Sequence, residues 1–255
     1  MSRQSQALQS IRFQELVGSR NAPASDSALV SCEDVARTYG SGLSAVVAVH
    51  GVSITINPRD RVALVGPSGS GKSTLLHLMA GLERPTSGRV SWPALEGDPT
   101  GRPGLVGMVF QGPSLLPALD VIENVALPLV LAGMVDAEAQ SRAAEALERL
   151  DIGGLRTKWP EELSGGQAQR VAVARVLAGR PVLILADEST GQLDEATGAH
   201  VVDVLVEAAD ELAAALVVST HDPAVAARLE SIWRMRDGAI KSVSGSHADS
   251  TGGAK

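Results

Sequence analysis

The segment Gly66-Pro67-Ser68-Gly69-Ser70-Gly71-Lys72-Ser73-Thr74 restricts what this chain can fold into more than any other. It follows the apolar run Arg61–Val65 directly and leads into an apolar helical stretch ending near Gly81. That order, strand then glycine-rich loop then helix, is the P-loop pattern. The glycines let backbone N–H groups converge on phosphate oxygens, and the following helix adds the positive end of its dipole. Lys72 is placed to reach β- and γ-phosphates, and the Ser73 hydroxyl to ligate Mg²⁺. A triphosphate ligand follows from the pattern; a particular activity does not.

Two further runs, Val182–Ala186 and Leu216–Thr220, are apolar almost throughout. Such strands are buried on both faces, as in a parallel sheet between helices. The first delivers Asp187-Glu188 to its end and the second delivers His221, and open α/β sheets gather their ligands at strand ends. Asp187 then suits a magnesium-bound water, and Glu188 suits the general base for the attacking water. Shorter β-rich runs lie at Leu29–Cys32, Val46–Val49, Val52–Ile56, Arg89–Trp92 and Leu105–Phe110. Asp237-Gly238 reads as a two-residue hairpin between Ile232–Arg236 and Ala239–Lys241. Residues 112–163 instead show helical spacing with interrupting prolines. There Asp136 is expected to cap a helix with the stripe Ala139, Ala143, Leu147 and Leu150. The chain shows no internal repeat, so a single nucleotide unit is expected.

Composition excludes some partners. Acidic residues outnumber basic ones 29 to 22, for a net charge of -7, which argues against nucleic acid as a main partner. No apolar run reaches the roughly 18 residues of a membrane helix, and the N-terminal stretch lacks the apolar core of a signal peptide. A cytoplasmic chain whose membrane role comes through a partner is expected. Residues 1–27 are polar and 242–255 small and polar, and both are expected to be mobile flanks of a 28–241 unit. The lone cysteine, Cys32, reads as a small core residue.

Leu163-Ser164-Gly165-Gly166-Gln167 adds a second loop-to-helix junction. Ser164 with Gln167 three residues on resembles a capping box, opening a helix to about Ala178 with two glycines at an anion-accepting end. With this motif beside the P-loop, the chain closely resembles the ABC ATPase family over about residues 28–240. The resemblance implies that Leu163, Ser164, Gly165, Gly166 and Gln167 are the signature, contacting the γ-phosphate held by a partner subunit's P-loop. It implies ATP with Mg²⁺, and two sites shared across an ATP-dependent head-to-tail homodimer. By the same resemblance Gln111 is the Q-loop glutamine on Mg²⁺ and water, Asp194 the D-loop acid, His221 the γ-phosphate switch, and Tyr39 the ring stacked on adenine. The expected fold is α/β: a RecA-like P-loop core, an antiparallel β-rich N-terminal part, and a helical subdomain inserted at about 112–163.

Within the family, Val109-Phe110-Gln111, Leu115-Leu116-Pro117, Glu123–Leu129 and Ile184–Glu188 look like the macrolide-exporter and lipoprotein-releasing branch. That resemblance implies an ATPase powering a separate integral-membrane permease from the inner face of the cell membrane. Ser189, Gln192 and Ala168 depart from the branch pattern without removing a group that makes or breaks bonds. Two other readings share these motifs. One is a regulator of cell-wall hydrolysis or division acting through a permease-like partner. The other is a soluble nucleic-acid or ribosome-associated cassette protein, which the acidic balance and single cassette disfavour.

Overall fold

The computed structural model describes residues 27–95, 97–102, 104–189, 193 and 195–245. In chain order, β1 (Val30–Tyr39), β2 (Val46–Ile56), β3 (Arg61–Val65), α1 (Lys72–Met79), β4 (Ser87–Ser91) and β5 (Val106–Val109) come first. The helices α2 (Val121–Leu131), α3 (Asp136–Glu148) and α4 (Gly165–Ala178) follow. Then come β6 (Leu183–Asp187), α5 (Glu195–Glu211), β7 (Ala215–Thr220), α6 (Pro223–Ala226), β8 (Ser231–Arg236) and β9 (Ala239–Gly245).

The apolar runs build a six-stranded sheet in the order β5-β6-β7-β3-β8-β9. All neighbours pair in parallel except β8 and β9, which form the expected hairpin. Its turn residues Asp237 and Gly238 have φ of 50° and 75°, the double positive φ that a two-residue turn needs. Alternate residues of each central strand feed different cores. Val62, Leu64, Leu183, Leu185, Ala215 and Val217 pack with α1 and the inner face of a second sheet. Ala63, Ile184, Ala186, Leu216 and Val218 pack with the helices on the other side. Burial on both faces is why these strands carry apolar residues without alternation.

The second sheet is antiparallel, three-stranded, in the order β2-β1-β4. β1 runs on to Tyr39, further than its apolar beginning suggests, because pairing with β2 holds its polar half. An α/β P-loop fold with an antiparallel N-terminal sheet is thus present as expected.

Between β5 and β6 the helices pack on one another and on β5. A reciprocal capping box opens α2: the Glu123 N–H donates to Asp120 at 2.9 Å and the Asp120 N–H to Glu123 at 3.0 Å. One expectation fails at α3. Val135 occupies the cap position and makes no side-chain capping bond, while Asp136 is the first helical residue. Its negative charge still favours the helix N-terminus through the dipole. Ala139, Ala143, Leu147 and Leu150 are all buried, although Leu150 lies beyond the helix end. A second difference concerns the C-terminal flank, expected to begin at residue 242: Ser242–Gly245 instead pair with β8 as part of β9. Backbone pairing at a sheet edge needs no apolar side chains, so composition did not reveal it. Residues 1–26 and 246–255 lie outside the described residues. Among the described residues, no helix is long and apolar enough to cross a membrane.

Candidate nucleotide-hydrolysis site

Because β7 lies between β3 and β6 and all three run parallel, their C-terminal ends open on one edge. The P-loop, Asp187-Glu188 and His221 therefore converge from three separate stretches of sequence. Two contacts set the P-loop's shape. A side chain on Gly66 would run into the Met235 carbonyl oxygen, and one on Gly71 into that of Ala48. Gly71, at φ 100°, is the left-handed residue that turns the loop into α1. The Gly238 N–H also donates to the Ser70 carbonyl at 3.1 Å, so the hairpin turn braces the loop from behind.

Lys72 is buried in the first turn of α1, with Nζ donating to the Gly66 and Pro67 carbonyls at 2.9 and 3.0 Å. Pro67, Ser68, Gly69 and Ser73 are exposed at the loop mouth, Thr74 is half-buried, and Ser70 is buried. Glu188 stands at the centre. Its Oε1 lies 3.4 Å from Lys72 Nζ and 3.9 Å from His221 Nδ1, and its Oε2 accepts from Gln111 Nε2 at 3.4 Å. The Glu188 backbone has φ 41°, a left-handed conformation that a non-glycine residue holds only where its surroundings require it. Here the Glu188 N–H donates to the Ser219 carbonyl at 3.2 Å and the Ser219 hydroxyl at 3.0 Å, turning the side chain toward the loop. Ser219 Oγ in turn donates to Asp187 Oδ1 at 2.6 Å, fixing that buried carboxylate.

The structure thus brings together Lys72, Gln111, Glu188 and His221, with Asp187 on the same strand end. It does not bring the signature to them. Ser164 and Gln167 form their reciprocal cap, at 3.2 and 2.9 Å, and open α4. Ser164 and Gly165 are exposed, Leu163, Gly166 and Gln167 half-buried, and no hydrogen bond among the described residues joins the five to the P-loop. Tyr39 lies at the end of β1 and is 37 % exposed. Asp194 lies outside the described residues.

Three residues that matter here escaped the sequence reading. Ser219, with Thr220 beside it, is polar at the end of an otherwise apolar strand, a signal that was available. Gln169 is buried in α4 and its Nε2 donates to the Phe110 carbonyl at 3.0 Å, next to Gln111. Arg175, further along α4, donates to the Ser114 and Pro113 carbonyls at 3.0 and 3.2 Å. Burial pushes its guanidinium below its ordinary pKa.

A parallel sheet carrying a P-loop, a strand-end acid pair and a strand-end histidine defines a P-loop nucleoside triphosphatase. A family model described as ABC transporter matches residues 49–191. The lipoprotein-releasing system ATP-binding protein LolD of Legionella pneumophila (strain Lens) is 40 % identical over 219 residues, 83 % of this chain and 96 % of that protein. The macrolide export ATP-binding/permease protein MacB of Syntrophobacter fumaroxidans is 40 % identical over 230 residues, 87 % of this chain and 32 % of that longer protein. A dimeric post-hydrolysis structure of an ATP-binding cassette bound to ADP and Pi superposes with a TM-score of 0.78 at 36 % identity. It covers 85 % of this chain and 98 % of that one. The chain belongs to the ABC transporter family, as an ATP-binding and ATP-hydrolysing cassette.

Proposed function

We propose that this cassette powers a separate membrane permease of export or extraction type, and that Glu188 is its general base. The observation that carries the assignment is the position of Glu188, within 4 Å of Lys72, Gln111 and His221 at the edge where three parallel strands end. In this reading Lys72 and the loop N–H groups from Gly66 to Thr74 hold the β- and γ-phosphates. Gln111 orients the attacking water, Glu188 takes its proton, and His221 contacts the γ-phosphate. Leu163 to Gln167 serve the site of the other copy in a head-to-tail dimer, which is why they stand apart from the P-loop of their own chain. Asp194 belongs with the same dimer contact. The cassette runs from about residue 28 to the end of β9 at Gly245, with its helical part at about 112–163.

The donor set suits Mg²⁺. No group of three or more His, Cys, Asp or Glu among the described residues could hold a metal unaided. Mg²⁺ prefers one or two carboxylates together with phosphate oxygens and water, which Asp187, Ser73 and Gln111 around a triphosphate provide. When bound, the ion neutralises charge on the β- and γ-oxygens. The cassette works from the cytoplasmic face of the membrane, attached through the permease.

Glu188→Gln tests the reading. The amide keeps shape and hydrogen bonding but cannot take a proton, and a general base contributes roughly 10²–10⁴-fold in rate. Steady-state turnover should fall by that order while the Kd for ATP stays within twofold. Turnover at the wild-type rate removes Glu188 from the mechanism.

A further inference from the structure

Around Tyr39 the structure holds a contact set that none of the assigned motifs explains. The Tyr39 hydroxyl lies 2.7 Å from both carboxylate oxygens of Glu83, and donates to that group. Arg37, two residues earlier on β1, donates through Nε to Glu83 Oε2 at 2.8 Å. Its guanidinium carbon lies 4.7 Å from the centroid of the Tyr39 ring. One carboxylate thus receives both the ring's hydroxyl and the cation stacked on the ring. All three residues are partly exposed: Tyr39 at 37 %, and the side chains of Arg37 and Glu83 at 29 % and 22 %. A surface cluster of this kind adds little to stability by itself.

Its geometry matters more than its energy. Glu83 is fastened to the helix that begins at the P-loop: its N–H and that of Leu82 donate to the His77 carbonyl of α1, at 3.3 and 2.9 Å. Two further bonds tie the same segment to β1, from the Thr86 N–H to the Ala36 carbonyl and from the Thr38 N–H to Thr86 Oγ1, at 2.7 and 3.0 Å. Tyr39 is paired with Val46, and β2 continues to Ala48, whose carbonyl abuts Gly71. The ring is therefore connected to the phosphate loop along two routes, through α1 and through β2.

We propose that Glu83 and Arg37 are positioning residues for the nucleotide base. Glu83 fixes the plane of the Tyr39 ring relative to α1, and Arg37 covers one ring face, so that the other is presented to a purine. This rests on the reading of Tyr39 as the adenine platform and assigns the two residues that make the platform rigid. A freely rotating tyrosine loses side-chain entropy when a base stacks on it; a ring already held loses less. The hydroxyl consequently has a function that stacking alone does not need.

The test uses the full chain, with KM and kcat for ATP and, separately, the inhibition constant of inorganic tripolyphosphate, which has no base. Glu83→Ala should raise KM for ATP roughly three- to tenfold, the range set by aromatic contact energies. It should leave kcat and the tripolyphosphate constant within twofold. Glu83→Gln, whose amide oxygen can still accept from the hydroxyl, should recover most of the loss. Tyr39→Phe should behave like Glu83→Ala, and the double variant should be no worse than either. If Tyr39→Ala leaves KM unchanged, the adenine platform itself is wrong. If Tyr39→Ala weakens ATP but Glu83→Ala and Tyr39→Phe do not, the platform stands and the positioning role is overturned. Tighter ATP binding by Glu83→Ala, or an equal loss for tripolyphosphate, overturns it as well.

Discussion

Gly71 carries the strictest requirement of any single residue in the phosphate loop. Its φ of 100° is closed to ordinary side chains, and a Cβ there meets the Ala48 backbone oxygen, which cannot swing aside as a side-chain end could. Gly71→Ala should therefore cost more than the about 1–2 kcal/mol of a left-handed residue alone, read as a lower urea midpoint. ATP binding should be lost even where the variant still folds, because loop amides are displaced. Cys32 shows the opposite, a residue whose chemistry the fold silences. It is buried and 3 % exposed, and burial pushes its thiol up from 9.0 to about 12. At pH 8 that leaves a thiolate fraction of about 10⁻⁴, so a disulfide reagent such as DTNB should label native protein far more slowly than denatured protein. Labelling at the denatured rate would place Cys32 at the surface. The sign of the linkage follows. Between pH 9 and 12 the unfolded chain releases this proton and the native one keeps it, so the group lowers stability as pH rises through that window.

Among the elements, α4 does more than present the signature. Gln169 and Arg175 hold three carbonyls of the segment that carries Gln111, those of Phe110, Pro113 and Ser114. The Gln169 Oε1 atom is buried with no hydrogen-bond partner among the described residues. Replacing the side chain by leucine thus removes one satisfied and one unsatisfied polar group, and the freed Phe110 carbonyl sets a cost of about 1–3 kcal/mol. Gln169→Leu should lower kcat more than it raises KM, because Gln111 loses its footing while the P-loop is untouched. A rise in KM at constant kcat counts against that link. The P-loop, the acid pair and the signature cap were legible in sequence because each packs its chemistry into a few adjacent residues. The links between them were not. Gln169 and Phe110 are 59 positions apart, Tyr39 and Glu83 44, and Asp187 and Ser219 32. No spacing rule covers such distances. Strand order, which alone brings them together, is not written in any one strand. The β9 extension and the Val135 cap were missed for a related reason, since both are made by backbone groups common to every residue.

At the level of the molecule, the signature and the P-loop of one chain are both well formed, yet no hydrogen bond among the described residues joins them. Ser164 and Gly165 at the mouth of α4 and several P-loop residues are exposed, as the proposed reading of two half-sites completed by a second copy requires. Two solved structures of a cassette 36 % identical to this chain are dimers, one of them bound to ADP and Pi. On the proposed reading the γ-phosphate, within ATP or as Pi beside ADP, links the two copies at the seam, so the dimer should last until hydrolysis and release of Pi. Glu188→Gln, by slowing hydrolysis, should convert a chain that elutes as a monomer into one that elutes as a dimer when ATP and Mg²⁺ are near saturating. ADP without Pi should not substitute, because on the proposed reading the signature of one copy reaches the γ-phosphate of the other. Adding Ser164→Arg should return the protein to the monomer position. The arginine removes the capping hydroxyl that accepts from the Gln167 N–H, at a cost of about 1 kcal/mol, and its bulk blocks the helix mouth. ATP affinity measured on that double variant separates the causes. A monomer that still binds ATP as tightly as the single variant has lost the seam and nothing else. A dimer that persists with Ser164→Arg shows that the copies meet through some other surface.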